Sequence, residues 1–168
     1  MNKIYITGPM GSDRKSIGEK MAKDRNMPLI DLDQVIEKED GRTIKMLSKM
    51  MGEHAYHDKE YHKLVELDEN DEQEFVMICG DGILFDSMCE DIMRKGEIII
   101  ADWEKSIQEL WEQAKQDETL PYAFLDLMRI EEKRLGNCEE FEKIEKSSFD
   151  RFVRLFEERK KYFEKYVK

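Results

Sequence analysis

Residues 4–18 read IYITGPMGSDRKSIG, and this stretch determines the interpretation of the whole chain. A short β-branched run over residues 4–7 ends at Gly8, and a loop with a second glycine, Gly11, leads into a charged helical pattern from Ser16. A strand that feeds a glycine-containing turn, which then opens a helix, is the arrangement of a phosphate-binding loop. The stretch therefore predicts such a loop near the start of an α/β fold.

The loop departs from the usual pattern at three successive positions. Counted from Gly8, the pattern has Gly at 13, Lys at 14 and Ser or Thr at 15, whereas this chain has Asp13, Arg14 and Lys15. A loop longer by one residue would present Lys15 and Ser16 as the Lys-Ser pair. Arg14 would then stand where the backbone usually needs a residue without Cβ, so the unshifted alignment is favoured.

Four short segments are dense in apolar residues rather than strictly alternating, as expected for parallel strands that are buried on both faces. They cover residues 4–7, 29–33, 75–79 and 97–101. Helical patterns lie over residues 16–24, 34–40, 43–51, 87–95 and 102–116, and Asp102 is the candidate cap of the last. Alternating strands and helices predict a three-layer α/β fold with right-handed crossovers and a parallel sheet between helices.

Composition excludes several classes of function. The 168 residues carry a net charge of -11, which disfavours binding to nucleic acid or to an anionic membrane. No apolar run approaches the ~20 residues of a membrane helix, and strand-like residues begin too early for a signal peptide. The three cysteines (Cys79, Cys89 and Cys138) lack metal-type spacing, so we expect a reduced, cytoplasmic setting with Cys79 and Cys89 packed in the core.

The C-terminal part changes in character after Pro121. Residues 122–146 are charged with scattered apolar positions, and a helical stripe follows at Phe149, Phe152, Val153, Phe156, Phe163 and Val167. Aromatic residues at this spacing are more typical of a surface that faces a core than of a ligand site. We therefore interpret the stripe as structural.

Five stretches, in their order along the chain, resemble motifs of the shikimate kinase family of P-loop kinases. They are GPMGSDRKSIG, PLIDLDQVIEKEDGRTI, GEHAYHDKE, VMICGDGIL and LFEERKKYFEKY. The resemblance covers roughly residues 2–115 and 150–166. It implies a single P-loop kinase-like domain over residues 1–168, a parallel sheet of four to five strands, and a helical lid or insertion at about residues 117–148. It also implies phosphoryl transfer from ATP, with Mg2+, to shikimate in aromatic amino acid biosynthesis.

The resemblance also implies which residues bind the nucleotide: Gly8, Gly11, Ser12, Asp13, Arg14, Lys15 and Ser16. Arg14 stands at the position of the catalytic lysine, and Asp31 stands in the shell of the metal. Asp13 adds a carboxylate where an anion would lie, and two like charges about 4 Å apart repel by ~4 kcal/mol at an effective dielectric of 20. Lys15 replaces the magnesium-binding hydroxyl; it either pairs with Asp31, balancing the charge without a metal, or points to solvent.

The substrate site implied by the resemblance consists of Asp33, His57, Gly80, Asp81, Gly82 and Arg159. Asp33, also a candidate catalytic residue, matches the aspartate that binds the shikimate hydroxyls. Arg159 matches one of the two arginines that bind the shikimate carboxylate. His57 replaces the other arginine, although Glu60, which orients that arginine in the family, is kept. Asp81 replaces the middle one of three glycines. In the lid, Leu120 replaces an arginine that stabilises the transferring phosphoryl group.

Two further groupings have less specific patterns. His54, Asp58 and His62 share one helical face, which could hold a metal but is more typical of a solvated face. Asp31 and Asp33 alternate along a predicted strand and would point to opposite faces unless the strand has already ended.

Three functions therefore stay open. The leading hypothesis is a shikimate-kinase-like protein that is weak or inactive as an ATP-dependent kinase, needs no cofactor, and acts by binding a small molecule. The alternatives are an active phosphotransferase with ATP and Mg2+, and a structural or interaction protein. The family's fifth strand is missing, so the edge of the fourth strand would be covered by the 122–146 insertion, by residues 122–127 as a strand, or by a partner. That partner would be a second copy or another protein, bound at this edge or at the C-terminal helices.

Overall fold

The computed structural model describes residues 2–70 and 72–167 of the chain. Its strands are β1 (Lys3–Thr7), β2 (Leu29–Asp31), β3 (Phe75–Ile78) and β4 (Glu97–Ile100). Its helices are α1 (Arg14–Arg25), α2 (Leu32–Asp40), α3 (Ile44–Met51), α4 (Glu53–Asp68), α5 (Ser87–Met93), α6 (Ile107–Gln116), α7 (Ala123–Leu135) and α8 (Glu139–Glu164). A 3-10 turn at Ile83–Phe85 precedes α5.

The four strands form one parallel sheet in the order β2-β3-β1-β4. Along β1 the side chains alternate between two buried clusters: Tyr5 packs with Phe75 on one face, and Ile4 and Ile6 pack with Ala22 of α1 on the other. Burial on both faces explains why the strands read as dense apolar runs. The predicted α/β fold, with a parallel sheet flanked by helices, is confirmed.

A separate apolar cluster joins the last three helices. Phe152 of α8 is fully buried against Trp111 of α6 and against Leu125 of α7. Phe163, about three helical turns further along α8, is buried in the cluster that lies between the sheet and helices α2 to α5. The aromatic stripe therefore packs inward, as predicted. The predicted insertion at 117–148 contains α7 and the start of α8; that it acts as a lid stays a prediction.

Two predicted boundaries were wrong because polar caps begin helices at other positions. The strand expected over 29–33 ends at Asp31, because the Asp31 carboxylate caps α2 by accepting from the backbone N–H of Gln34 at 3.2 Å. Asp102 does not cap α6. It has a φ of 55°, and α6 is capped by Ser106. The Ser106 hydroxyl accepts from the backbone N–H of Glu109, and the backbone N–H of Ser106 donates to the Glu109 carboxylate.

The fourth strand is the last in the sheet, and residues 122–127 do not pair with it. Residues 123–135 form α7, so the hypothesis of a fifth strand there is wrong. Ile98 and Ile100 of β4 are partly buried in the same cluster as Phe163 of α8.

Among the helices of the described residues, none combines the length and the apolar composition that a membrane-spanning segment needs.

Replacement of Phe152 tests how far the C-terminal helices depend on their shared cluster. Because the side chain is fully buried, we expect Phe152→Ala to lower the free energy of unfolding by about 3–5 kcal/mol in urea titrations. The control Leu127→Ala removes an apolar side chain that is 62% exposed on α7, and should change stability by less than about 0.5 kcal/mol. Equal effects of the two variants would contradict this packing.

Candidate functional site

The loop between β1 and α1 is packed tightly against two other segments. A Cβ on Gly8 would lie 2.8 Å from the carbonyl oxygen of Ala101, and a Cβ on Gly11 would lie 2.1 Å from that of Leu110. Gly11 also has a φ of 85°, which side chains rarely adopt. The side-chain amide of Gln113 donates to the Gly11 carbonyl. Both glycines are therefore required for the loop to approach β4 and α6.

Carboxylates accept hydrogen bonds from two backbone N–H groups at the end of the loop and the first turn of α1. The Asp13 side chain caps α1 by accepting from the N–H of Ser16 at 3.1 Å. The N–H of Asp13 itself donates to the carboxylate of Asp102 at 2.7 Å. Asp102 is buried, and Lys105 lies 3.5 Å from the same oxygen. At the N-terminus of α1, where P-loops present N–H groups to phosphate, two N–H groups of this chain, those of Asp13 and Ser16, donate to its own carboxylates.

Arg14 points inward from the start of α1, whereas Lys15 is exposed. One guanidinium nitrogen of Arg14 donates to the carbonyl of Cys79, just after β3, at 3.2 Å. Burial lowers the pKa of Arg14, but the nearby carboxylates of Asp81 and Asp33 outweigh this and raise it. The guanidinium therefore stays charged and lies beside the ends of the strands, which agrees with the unshifted alignment of the loop.

Asp31 and Asp33 come together rather than pointing apart, because β2 ends between them. Both line the same cavity as the loop. The hydroxyl of Tyr56 donates to Asp33 at 2.6 Å. Burial raises the pKa of Asp33 to about 6, although this hydrogen bond and Arg14 oppose the shift. Among the described residues no ion pair links Lys15 to Asp31, and Lys15 is exposed, so the second of the two alternatives for Lys15, a side chain in solvent, is the one observed.

A buried ion pair fills the middle of the predicted substrate site. Arg159 of α8 lies 3.0 Å from Asp81, and the Tyr122 hydroxyl contacts both, accepting from Arg159 at 2.6 Å and donating to Asp81. The guanidinium also lies over the ring of Phe85, 4.8 Å from its centroid. Asp81, at the position of a family glycine, thus binds the arginine that the resemblance assigns to a substrate carboxylate.

His57 and Glu60 form a second polar contact beside this ion pair. His57 Nδ1 and Glu60 Oε1 are 2.7 Å apart, and the other Glu60 oxygen is buried without a hydrogen-bond partner among the described residues. Burial raises the pKa of Glu60 to about 7, and the hydrogen bond with Glu60 raises that of His57. Gly80 and Gly82 lie close by, where a Cβ would meet the Tyr56 hydroxyl at 2.6 Å or the His57 ring at 3.0 Å.

Two cavities are lined by different subsets of the predicted site residues, whereas Gly8, Gly11, Ser16 and Gly80 line neither. The larger, which we call the loop cavity, has a volume of about 640 Å³. Of the predicted residues it is lined by Ser12, Asp13, Arg14, Lys15, Asp31 and Asp33. The other, which we call the small cavity, has about 20 Å³ and is lined by His57, Asp81, Gly82 and Arg159. Asp33, predicted to contact substrate beside Arg159, instead lines the loop cavity.

Several residues in this site were not identified from the sequence. Tyr56 and Tyr122 contact the carboxylates of Asp33 and Asp81, and Asp102 holds the loop. None carries a local signal for these contacts, because each partner is at least 23 residues away along the chain. The described residues contain no group of three potential metal ligands, so the structure gives no support to a metal site at the histidines. The metal role of Asp31 stays a prediction, because Mg2+ can bind through one or two carboxylates together with substrate phosphates.

A glycine-containing loop between a parallel strand and a helix N-terminus, beside a cavity at the strand ends, defines an α/β protein of the P-loop kinase class. The family model described as shikimate kinase matches residues 10–166. The chain therefore belongs to the shikimate kinase family.

Individual relatives agree with this assignment. The chain is 29% identical over 164 residues to a shikimate kinase from Bacillus anthracis, covering 98% of this chain and 84% of that protein. It is 25% identical over 157 residues to a bifunctional shikimate kinase/3-dehydroquinate synthase from Thermotoga maritima. That match covers 82% of this chain but 30% of the relative, so the chain spans less than a third of the bifunctional protein.

Solved structures support the fold. Shikimate kinase from Aquifex aeolicus matches with a TM-score of 0.69 and 22% identity, over 98% of this chain and 83% of that one. Shikimate kinase from Acinetobacter baumannii in complex with shikimate matches with a TM-score of 0.65 and 20% identity, over 95% and 80% of the two chains. At these identities the comparison establishes the architecture alone.

The pH dependence of stability tests the burial of Glu60. The folded protein holds this proton up to about pH 7, whereas the unfolded chain loses it near pH 4.5. The contribution of the Glu60 proton to the free energy of unfolding is therefore fully present below pH 4.5 and is lost as the pH rises to 7. Relative to Glu60→Gln, we expect the wild-type unfolding free energy to fall by roughly 2–3 kcal/mol over that range.

The matched control is Glu69→Gln, which changes an exposed glutamate just after the same helix. Its stability should follow the wild-type pH curve. Denaturant titrations at several pH values measure all three proteins. A constant difference between wild type and Glu60→Gln from pH 4 to 8 would show that the Glu60 carboxyl titrates normally.

Proposed function

We propose that this member of the shikimate kinase family binds a small molecule and is weak or inactive as an ATP-dependent kinase of shikimate. The observation that carries the proposal is that the chain's own carboxylates contact the cations and N–H groups at the positions where the family would bind phosphate and substrate. Asp13 and Asp102 accept from the loop, and Asp81 binds Arg159.

The nucleotide side supports the proposal through charge and hydrogen bonding. A triphosphate at the start of α1 would replace the hydrogen bond from Ser16 to Asp13 and would lie beside the Asp13 carboxylate. Lys15 puts an exposed ammonium at the position of the magnesium-binding hydroxyl. The residues present therefore do not fit ATP with Mg2+, and we assign no step of a reaction to them.

At the predicted shikimate site, the volume of the small cavity supports the proposal. The small cavity has about 20 Å³, enough for one water, whereas shikimate is a ring with a carboxylate and three hydroxyls. Its carboxylate would have to replace Asp81 on Arg159, and the buried Asp81 would then lose its contact with that cation while Arg14 stays nearby. Breaking a buried ion pair is costly, so exchange with a solvated carboxylate is unfavourable.

The cation at the phosphoryl-transfer position, Arg14, is already engaged by other groups of the chain. Arg14 is directed to the Cys79 carbonyl, and its charge is offset by Asp81 and Asp33. Leu120 stands where the family's lid has an arginine, and the loss of such a cation can slow phosphoryl transfer by ~10³ or more. A working kinase would require both Asp13 and Asp81 to leave their present contacts.

Calorimetry and a coupled ADP-release assay test this proposal. We expect no saturable Mg-ATP binding at millimolar nucleotide, and a kcat/KM for shikimate about 10³-fold or more below that of a working kinase. The Bacillus anthracis relative serves as the positive control. Magnesium-dependent ATP binding together with turnover of shikimate at a comparable rate would overturn the proposal.

Restoring the loop pattern provides a second test. We expect the triple variant Asp13→Gly, Arg14→Lys, Lys15→Ser to regain part of the ATP affinity, seen as a saturable rise in Tm with Mg-ATP, because the carboxylate leaves the phosphate position and a magnesium-binding hydroxyl returns. The matched control, Asp24→Gly, Arg25→Lys, Lys20→Ser, makes the same replacements at exposed positions later in α1 and should show no rise. A triple variant that does not respond to ATP would count against the account of the loop.

A further inference from the structure

The β4 strand lies at one edge of the sheet and has an open side. It pairs in parallel with β1, and among the described residues no second strand pairs with it. All residues of β1 and β3 are buried, whereas Ile98, Ile99 and Ile100 of β4 are each partly exposed. These three residues include no proline or charged side chain, the usual devices that keep an edge strand from pairing with another strand.

The ladder between β4 and β1 leaves alternate backbone groups of β4 directed away from the sheet. The N–H of Ala101 donates to the carbonyl of Thr7 at 2.7 Å, and in a parallel ladder every second residue bonds to the same neighbouring strand. Ile99 and Ala101 therefore bond to β1, and the N–H and C=O groups of Ile98 and Ile100 face the open edge. In the part of the chain that the structure describes, neither residue has a hydrogen-bond partner at that edge.

Two copies of this edge can satisfy each other about a twofold axis. In an antiparallel pair with Ile99 on the axis, Ile98 of one copy lies opposite the partner's Ile100. Both of these residues face the open edge, so each opposed pair can exchange both of its N–H to C=O hydrogen bonds. A twofold interface needs a surface that is complementary to itself, and this register meets that condition for the backbone.

Charges at the two ends of β4 favour the same register. Arg94 and Glu104 are exposed, and they lie five residues before and five residues after Ile99. Antiparallel pairing about Ile99 therefore brings Arg94 of one copy to the end of the strand where the partner's Glu104 lies. A register centred on Ile98 or on Ile100 would also pair the backbone groups of the edge, but it would move these opposite charges apart.

The residue on the axis also provides apolar contact. Ile99 packs with Ile17 and Met21 of α1, and all three side chains are partly buried. In the antiparallel pair, Ile99 lies opposite the partner's Ile99 in a position without backbone hydrogen bonds, where side chains of opposed strands come closest. Association would therefore remove from water apolar surface that is exposed in the monomer.

We propose that this protein forms a homodimer through antiparallel pairing of β4 with β4 of a second copy. Ile99 lies on the twofold axis, Arg94 lies beside the partner's Glu104, and the two parallel sheets join into one continuous sheet. A strand of a different protein would also match the backbone groups of the edge. The equal spacing of Arg94 and Glu104 about Ile99 instead favours a second copy. The inference does not depend on the proposed function.

Sedimentation equilibrium and amide hydrogen exchange of the full chain test the proposal. From micromolar to millimolar concentration, we expect a reversible equilibrium between monomer and dimer. Because the edge amides exchange from the monomer, those of Ile98 and Ile100 should exchange about tenfold more slowly once about nine-tenths of the chains are dimeric. The amide of Ile99, already bonded to β1, should change by less than about twofold.

Charge reversal tests the register. Arg94→Glu brings like charges together at both ends of the paired strands, so the dimer Kd should rise about tenfold or more. The double variant Arg94→Glu, Glu104→Arg restores opposite charges and should return the Kd to within about threefold of wild type. The matched control Arg25→Glu makes the same change of net charge at an exposed position before β2, at the opposite edge of the sheet. It should leave the Kd within about threefold.

A protein that stays monomeric at every concentration would overturn the inference, because the open edge would then not associate with itself. A dimer in which the exchange of the Ile98 and Ile100 amides is unchanged would overturn it too, since its interface would lie elsewhere. Equal weakening by Arg94→Glu and Arg25→Glu, or a double variant that does not recover the wild-type Kd, would show that these charges do not meet across the axis and would overturn the proposed pairing.

Discussion

The Asp81 carboxylate and the Arg159 guanidinium lie 3.0 Å apart, and their exposed fractions are 10% and 19%. A pair withdrawn from water to this extent is stable only while both partners remain, because a lone buried charge is costly. The contact joins the carboxyl end of β3 to α8, residues that are 78 positions apart, and Tyr122, just before α7, completes it. The position of the C-terminal helices over the sheet is thus coupled to the charge at residue 81.

At the other end of the site, the polar groups of the loop likewise need partners from within the chain. N–H groups at the start of a helix need acceptors, and here the carboxylates of Asp102 and Asp13 accept from the N–H groups of Asp13 and Ser16. Carboxylates of the chain therefore bind polar groups in both parts of the site, while the parallel sheet and its flanking helices have the architecture of solved shikimate kinases. The sheet can keep this architecture independently of the site charges, because it is stabilised by apolar burial.

The sequence predicted the sheet because its signals are local. Dense apolar runs, helix caps and the glycine loop each act within a few residues, so strands and helices could be placed without tertiary information. The boundary errors were also local. The Ser106–Glu109 spacing is a capping box that can be read from the sequence, and it is a more specific signal for the start of α6 than Asp102 alone. The order of the motifs also predicted four site residues. In the structure three of them (Arg14, Asp33 and Asp81) lie near the carboxyl ends of the strands, and the fourth, Arg159, lies on α8.

What the sequence could not provide were the long-range polar contacts. Nothing near Tyr56 or Tyr122 indicates that their hydroxyls would meet Asp33 and Asp81, and nothing near Asp102 indicates that it would hold the loop. These contacts depend on how the helices pack against the sheet. They also decide that Asp33 lines the loop cavity, whereas Arg159 lines the small one.

The central claim is that the chain's own carboxylates occupy the positions of phosphate and substrate. The most direct test is a crystal structure from crystals grown with Mg-ATP and shikimate, both at high concentration. The account predicts that the Asp13 carboxylate remains on the N–H of Ser16, that Arg159 remains on Asp81, and that neither ligand lies at these groups. A triphosphate wrapped by the loop, with shikimate on Arg159 and both carboxylates turned away, would contradict it.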